Sequence, residues 1–279
     1  SMELHKGIWN KTAKGCNEVR RKTIGIVGYG HIGPQVGLLA ESLGMRVVFH
    51  DIVRKLPLGN ARQVSGLEEL LEISDFVTLH VPETPLTRGM IGAEQLRLMP
   101  RGSYLLNLSR GSVVDIPALY EALTNGHLAG AAVDVFPQEP NSNKDPFESQ
   151  LRGLSNVILT PHIGGSTEEA QRNIGIEVSD ALVSYLETGS TTGCANLPEV
   201  HLPVIEDSYR MVNIHKDMPG VLSRINGLIA GMCVNIKAQS YNTRNGIGYL
   251  LMDVERSLPR DIERQIEALD SNVRTRLLF

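Results

Sequence analysis

The feature that most constrains this chain is a set of three glycines that follows a short apolar run, residues 23–27. Gly28, Gly30 and Gly33 have the spacing G-x-G-x-x-G, and residues 35–43 after them have a helical pattern. In a strand–turn–helix unit the first glycine permits the tight turn, the second lets a pyrophosphate approach the backbone, and the third lets helix and strand pack closely. The start of the helix offers free N–H groups to phosphates. The motif therefore predicts dinucleotide binding.

A carboxylate follows at the position where such folds bind a ribose. A second predicted strand, residues 45–50, ends at Asp51, 18 residues past Gly33. A carboxylate here can accept hydrogen bonds from the ribose hydroxyls and repel a 2′-phosphate. Asp51 therefore favours NAD over NADP, although Arg54 and Lys55 nearby weaken that preference.

Composition excludes several classes of protein. The chain has 279 residues, of which 42% are hydrophobic and 21% charged, and its net charge is −4. This slightly negative net charge does not indicate the basic surface that nucleic-acid binding requires. No apolar run approaches the length of a membrane span. Cys16, Cys194 and Cys233 are widely spaced, so neither a disulfide framework nor a metal site is predicted. We expect a cytoplasmic protein without nucleic-acid or membrane partners.

Strand-like runs alternate with helical patterns from residue 23 to residue 162, which predicts a doubly wound parallel sheet of the Rossmann type. In such sheets ligands bind beyond the carboxyl ends of the strands. The predicted strands are 23–27, 45–50, 63–64, 75–80, 103–108, 128–135 and 157–160, and the helices are 35–43, 67–72, 93–98 and 116–124.

The order of predicted elements changes after a long predicted helix, residues 167–187. Residues 190–208 contain Gly193, Pro198 and Pro203 and are typical of a linker. The order strand, helix, strand, strand, helix, strand then predicts a ferredoxin-like βαββαβ unit. Its predicted elements are 209–215, 220–229, 234–240, 246–255, 260–269 and 273–278. The predicted divisions are 1–22, 23–165, 166–192, a linker at 193–208, and 209–279.

Three polar side chains follow strands of the first unit. Arg110 can grip a carboxylate bidentately while it polarises a neighbouring carbonyl. His162 titrates near neutral pH and suits the proton transfer of an alcohol–ketone interconversion, and Glu139 could orient its ring. Taken singly, each could instead be an ordinary surface residue or strand cap. Together they indicate hydride transfer at the α-carbon of a 2-hydroxy acid.

Four stretches carry a family resemblance: 28–33, 107–115, 134–140 and 160–165. They resemble the signatures of the D-isomer-specific 2-hydroxyacid dehydrogenases, and the whole chain is most similar to the branch of that family with a C-terminal ACT domain. The resemblance implies NAD-dependent oxidation of 3-phospho-D-glycerate to 3-phosphohydroxypyruvate, the first step of L-serine biosynthesis. It also implies a homo-oligomer, a dimer or a tetramer.

The resemblance assigns roles residue by residue. Arg110 corresponds to the substrate-binding catalytic arginine, His162 to the proton donor and acceptor, and Glu139 to its partner. The remaining positions correspond to contacts with NAD. These are Gly28, Gly30, His31, Ile32, Gly33, Asp51, His80, Val81, Pro82, Leu108, Ser109, Asp134, Gly164 and Gly165, together with Arg110 and His162.

The ACT resemblance implies regulation by L-serine at an interface between two copies of the domain. The corresponding positions are His215, Asp217 and Asn235. Asp217 departs from the family pattern, in which asparagine is usual, so we expect feedback that is weaker or tuned differently. A plain dimerisation role for this unit remains the alternative.

The resemblance leaves one part of the family architecture unmatched. Family members build a substrate domain from an N-terminal half and a returning helix, and here only residues 166–192 match it, while residues 1–22 match the end of a crossing segment. We expect this chain to bind NAD, to be poorly active, and to expose Ile176, Leu182 and Leu186. Two alternatives stay open: another 2-hydroxy acid, such as 2-oxoglutarate reduced in reverse, or a non-catalytic NAD-sensing protein.

Overall fold

The computed structural model describes residues 2–13, 15–257 and 261–278. The chain separates into two compact units, Ser1–Thr167 and Glu168–Phe279.

The first unit is a seven-stranded sheet in which every strand pair is parallel, in the order β3-β2-β1-β4-β5-β6-β7. The predicted doubly wound parallel sheet is therefore confirmed. Its strands are β1 (Thr23–Val27), β2 (Arg46–His50), β3 (Arg62–Gln63), β4 (Phe76–Leu79), β5 (Tyr104–Asn107), β6 (Gly130–Val133) and β7 (Val157–Leu159). Its helices are α1 (Met2–His5), α2 (Gly33–Ser42), α3 (Leu67–Ile73), α4 (Ala93–Leu98) and α5 (Ile116–Thr124).

Apolar side chains fill separate clusters against this sheet. The larger cluster contains Leu79, Leu105 and Leu119, all fully buried. A smaller one contains Tyr29 and Phe49, whose rings stack with centroids 3.7 Å apart. Near-continuous apolar strands of this kind are typical of parallel sheets that are covered on both faces. Because all strands run the same way, their carboxyl ends share one edge of the sheet.

Two predicted strands extend past the observed ones on the side of that edge. The sequence predicts a strand at 103–108, whereas β5 ends at Asn107, and it predicts a strand at 128–135, whereas β6 ends at Val133. Past these ends, side chains accept hydrogen bonds from the loop backbone: the Ser109 N–H donates to Oδ1 of Asn107 at 3.1 Å, and the Phe136 N–H donates to Oε1 of Glu139 at 3.0 Å. A short 3-10 turn, Gly111–Val113, which the sequence did not predict, lies in one of these loops.

The second unit contains a four-stranded antiparallel sheet in the order β11-β8-β10-β9. This is the predicted ferredoxin-like arrangement, and it is confirmed. The strands are β8 (Ser208–Lys216), β9 (Ile236–Arg244), β10 (Ile247–Glu255) and β11 (Asn272–Leu277), and the helices are α6 (Glu168–Thr188), α7 (Val221–Gly231) and α8 (Ile262–Glu267). The predicted helix 260–269 begins at Arg260, which lies outside the described residues.

The hairpin between β9 and β10 shows why the sequence folds this way locally. Its two loop residues, Asn245 and Gly246, have φ of 52° and 77°. Asn-Gly is the preferred pair for a turn with two positive φ angles, which matches the twist of the flanking strands.

Parts of the predicted linker are packed, although many of its residues are exposed. Thr191 and Val200 are buried, and the Val200 N–H donates to Oγ1 of Thr191 at 2.8 Å. Arg210 of β8 is fully buried; it forms an ion pair with Asp253 at 2.6 Å and donates to the carbonyls of Leu202 and Pro203. The predicted linker lies within the second unit, Glu168–Phe279. Sequence composition alone does not reveal which carbonyls a buried arginine will bind.

Helix α6 buries none of its residues. Ile176, Leu182 and Leu186 are 52%, 57% and 58% exposed, so the expected exposure of these three side chains is confirmed. In the part of the chain that the structure describes, no helix combines the length and apolar character needed to cross a membrane.

Candidate functional site

The loops that follow the parallel strands bring the predicted site residues of the first unit to one edge of the sheet. The glycine turn follows β1 and Asp51 follows β2, while the His80 loop follows β4. Arg110 lies in the loop after β5, and His162 lies in the loop after β7. Such an edge is where open α/β sheets bind their ligands.

The three glycines of the motif differ in what surrounds them. Gly28 has φ of 92°, and a Cβ there would lie 2.4 Å from the carbonyl oxygen of His80; a Cβ on Gly33 would lie 2.3 Å from the carbonyl oxygen of Gly28. Both positions therefore require glycine for the fold itself. Gly30 is exposed, and a Cβ there would have no heavy atom within 4 Å. Its missing side chain leaves an open cradle beside the start of α2, which fits the pyrophosphate of NAD.

His31 and Ile32 lie on the exposed turn between the cradle and α2, and Ile32 is the residue that caps the helix. The side chain of Asp51 bonds the same turn to the end of β2. Its Oδ2 accepts from the backbone N–H of Tyr29 at 2.8 Å, and its Oδ1 accepts from that of Val53 at 2.9 Å. Asp51 is thus held in place by backbone donors beside the glycine turn.

The loop after β4 begins with His80, Val81 and Pro82. His80 is half-buried, and its Nε2 lies 3.0 Å from the hydroxyl oxygen of Thr78. Burial lowers the pKa of His80, which keeps the ring neutral beside the glycine turn. The His80 carbonyl is the group against which Gly28 packs.

The loop that carries Arg110 is organised by a buried amide. Asn107 is 1% exposed; its Oδ1 accepts from the N–H and the hydroxyl of Ser109, and its Nδ2 donates to the carbonyl of Arg110 at 3.1 Å. Leu108 is exposed, and the guanidinium of Arg110 donates to the carbonyl of Ser109 at 2.7 Å. A Cβ on Gly111 would lie 2.0 Å from the backbone of Phe136, so this loop is pressed against the one that carries Glu139.

Asp134 holds the loop that carries His162. It is 3% exposed, and it accepts from the hydroxyl of Thr160 at 2.5 Å and from the N–H groups of Ile163 and Gly164 at 3.0 and 3.1 Å. Burial opposes ionisation of this carboxyl, but these hydrogen bonds outweigh burial and lower the pKa of Asp134. Gly165 follows in the same loop.

His162 and Glu139 are in direct contact in the site. Nδ1 of His162 lies 2.8 Å from Oε2 of Glu139, and Oε1 of Glu139 accepts from the N–H of Phe136 at 3.0 Å. His162 also has φ of 54°, a rare conformation for a non-glycine residue. Burial of Glu139 is outweighed by the hydrogen bonds from His162 and Phe136, so its pKa is lowered.

The ionised Glu139 fixes which ring nitrogen of His162 carries the proton. A carboxylate only accepts hydrogen bonds, so Nδ1 must be protonated and Nε2 of the neutral ring is left as an acceptor. The side chain of His162 is 50% exposed, so Nε2 is accessible to a substrate hydroxyl.

One cavity of about 480 Å³ brings Arg110, Glu139 and His162 together. Two further charged residues that the sequence did not predict, Glu83 and Arg88, line it as well. The roles of Asn107 and Asp134 in bonding the loops were also missed. Their signal in the sequence is only that each is the first polar residue after a short apolar run.

The three positions assigned to serine do not form one cluster within the chain. His215, at the end of β8, is 1% exposed; its Nδ1 lies 2.7 Å from Oδ1 of Asn213, and its ring stacks on Tyr241. Burial lowers the pKa of His215, against the opposing charge of the exposed Asp217. Asn235 precedes β9, and its carbonyl accepts from the N–H of Glu255.

Strand register separates Asn235 from the other two positions. Glu255 pairs with Ser208 at the start of β8, whereas Gly248 pairs with His215 near the end of it. At about 3.3 Å per residue, these two ends of β8 lie about 23 Å apart.

The chain matches two described protein families. Residues 1–164 match "D-isomer specific 2-hydroxyacid dehydrogenase, NAD binding domain", and residues 212–274 match "AHAS small subunit-like ACT domain".

Similar proteins are found among curated relatives and solved structures. The chain is 53% identical to "D-3-phosphoglycerate dehydrogenase" of Escherichia coli K12 over 279 residues, and 50% identical to the protein of that name from Dictyostelium discoideum. The two alignments cover 99% and 100% of this chain, and each covers 68% of the relative. A solved D-lactate dehydrogenase from Aquifex aeolicus, complexed with NAD and lactic acid, is 32% identical with a TM-score of 0.58. That match covers 66% of this chain and 60% of the other.

The glycine cradle and the loops around Arg110, Glu139 and His162 lie within the region that matches the NAD-binding domain. With that match and with about half of all residues identical to the curated relatives, this chain belongs to the D-isomer-specific 2-hydroxyacid dehydrogenase family and carries its NAD-binding domain together with an ACT domain.

Proposed function

We propose that this chain is the cofactor-binding and regulatory part of an enzyme that oxidises 3-phospho-D-glycerate to 3-phosphohydroxypyruvate with NAD, the first step of L-serine biosynthesis. The observation that carries the proposal is the cavity shared by Arg110, Glu139 and His162, at the same edge of the sheet as the glycine turn. The name of the relatives that are about 50% identical supports the choice of substrate.

Each of the three residues has a role that follows from its surroundings. The Arg110 guanidinium binds the carboxylate of the 2-hydroxy acid and polarises its C2 oxygen. Nε2 of His162 accepts the hydroxyl proton as the alcohol becomes a ketone, and Glu139 stabilises the imidazolium that results. NAD, held at Gly30 and the start of α2, supplies the hydride acceptor when it is bound.

The test is the oxidation of NADH by 3-phosphohydroxypyruvate, followed by NADH absorbance in the whole enzyme and in this chain. We expect His162→Ala to lower turnover by about 10²- to 10⁴-fold, because in this direction the carbonyl oxygen of the substrate loses its positioned proton donor. The affinity for NAD, measured by calorimetry, should fall far less than turnover, because the glycine turn and Asp51 are unaltered. His201→Ala, at an exposed histidine of the second unit, is the control.

Equal rates for His162→Ala and the unsubstituted protein would remove His162 from the mechanism. Tight NAD binding without any turnover in the whole enzyme would favour a non-catalytic NAD-sensing role. A higher rate with 2-oxoglutarate than with 3-phosphohydroxypyruvate would favour the other 2-hydroxy acid.

We also propose that this 279-residue chain by itself turns substrate over slowly while it binds NAD normally. The support is α6, whose exposed apolar side chains indicate surface that is packed against further structure in the active enzyme. Turnover by the purified chain at the rate of a full-length relative would contradict this proposal.

For the ACT unit we propose that L-serine binds between two copies of the chain and lowers activity. Nε2 of His215 is buried and makes no hydrogen bond to any described residue, which leaves one polar atom unsatisfied near the end of β8. Asn235 lies too far from His215 to share a ligand within one chain, so a second copy would supply it.

Calorimetry with L-serine, D-serine and glycine tests the regulatory site. We expect heat with L-serine, and its loss in Asn235→Ala at unchanged oligomeric state by analytical ultracentrifugation. No heat from a demonstrated dimer would reduce the ACT unit to a dimerisation role.

A further inference from the structure

The cavity of the first unit contains more charged side chains than the proposed reaction uses. Arg110, Glu139 and His162 have roles in the chemistry, whereas Glu83 and Arg88 line the same cavity without one. Glu83 and Arg88 lie in the loop that follows His80 and leads into α4.

Both carboxylates of this cavity are paired with a neighbouring side chain, whereas the guanidinium of Arg110 is not paired with a carboxylate of the described residues. Glu139 bonds to His162 at 2.8 Å, and Oε1 of Glu83 bonds to Nη2 of Arg88 at 2.5 Å. Arg110 donates to the backbone carbonyl of Ser109, and within residues 2–13, 15–257 and 261–278 it forms no ion pair with a carboxylate.

Glu83 is nevertheless within electrostatic reach of Arg110. The Ser112 hydroxyl and the Arg88 guanidinium lower the pKa of Glu83, and the charge of Arg110 contributes as well. The two loops are also bonded to each other, because the N–H of Gly89 donates to the carbonyl of Ser112 at 2.8 Å. Without Arg88, the carboxylate of Glu83 would therefore pair with Arg110, the other guanidinium of the cavity.

We propose that Arg88 is a positioning residue that occupies Glu83 and thereby leaves Arg110 free for the carboxylate of the substrate. Arg88 acts through Glu83 and does not itself need to touch the substrate. The inference deepens the proposed function and rests on the role given there to Arg110.

Chemical modification of Arg110 by phenylglyoxal tests this without requiring turnover or a bound ligand. A guanidinium that is paired with a carboxylate reacts more slowly, because pairing stabilises its protonated form. In Arg88→Gln we expect the modification rate at Arg110, followed by peptide mass spectrometry, to fall about two- to fivefold, the range of a partly exposed ion pair. In Glu83→Gln/Arg88→Gln the rate should return to that of the unsubstituted chain.

The rescue by the double variant separates this role from a structural one, since loss of loop structure would persist when both side chains are neutral. Arg152→Gln, which removes the exposed pair with Glu148 elsewhere in the unit, is the matched control and should leave the Arg110 rate unchanged.

In the whole enzyme, Arg88→Gln should raise KM for the oxo acid by a similar factor at nearly constant kcat. An unchanged Arg110 rate in Arg88→Gln, or a reduced rate that the double variant does not restore, would overturn the proposal. Failure of the His162 test alone would leave this modification result intact.

Discussion

Replacing Gly30 with alanine should weaken NAD binding while it leaves the fold intact. No heavy atom lies within 4 Å of a Cβ at this position, and the backbone of Gly30 is not in the left-handed region. The folded chain can therefore accept the methyl group, and the loss of glycine flexibility in the unfolded chain should add about 0.4–1 kcal/mol of stability. The same methyl group would occupy the cradle beside α2 and deny a phosphate one or two backbone donors, which weakens binding about 10- to 100-fold.

Gly28→Ala and Gly33→Ala are the matched controls, because they make the same chemical change at neighbouring positions. Their Cβ atoms would lie 2.4 and 2.3 Å from backbone oxygens, and Gly28 also has φ of 92°. We expect each to destabilise the first unit by about 2–4 kcal/mol, through strain and overpacking.

The measurements are calorimetric titration with NAD and urea unfolding. NAD stabilises only the unit that binds it, so the unfolding transition that moves with NAD reports the first unit. A Gly30→Ala variant that binds NAD as tightly as the unsubstituted chain would refute the assignment of the cradle. A Gly30→Ala variant as unstable as Gly28→Ala would refute the distinction between the glycines.

Two further predictions concern buried positions. In urea unfolding, Asp134→Asn should destabilise the first unit by about 2–3 kcal/mol, because an amide cannot accept all three hydrogen bonds. The control is Asp145→Asn, at an exposed carboxylate that also accepts hydrogen bonds from its own loop, and it should destabilise the unit far less. The pKa of Asp134 is lowered in the folded chain, so the stabilisation by its carboxylate is present above the ordinary pKa and is lost as pH falls through the folded pKa. A difference in unfolding free energy between Asp134→Asn and the unsubstituted chain that persists in acid would contradict this. Gly189→Ala should lower the stability of the second unit, measured by calorimetry, by about 2–4 kcal/mol, because its Cβ would lie 2.7 Å from the side chain of Leu251. Gly193→Ala is the control: Gly193 has a similarly positive φ but open space around it, so the loss should be about 1–2 kcal/mol.

The sequence alone determined the fold class and predicted the edge of the sheet at which the candidate site lies. Alternating apolar runs and helical patterns define a parallel sheet, since its strands are buried on both faces. The G-x-G-x-x-G spacing and Asp51 then located the predicted dinucleotide site. Motifs of this kind are local, so no tertiary contact is needed to read them.

Tertiary structure decided what the polar side chains of the loops bind. Whether Asp134 faces a ligand or the loop of His162 depends on how close β6 and β7 bring two distant segments. The pairing of Glu83 with Arg88, rather than with Arg110, likewise depends on side-chain geometry that spacing does not encode. The same holds for the predicted linker, residues 190–208. The carbonyls of Leu202 and Pro203 in it accept from Arg210, and Arg210 meets Asp253 only when β8 and β10 pair.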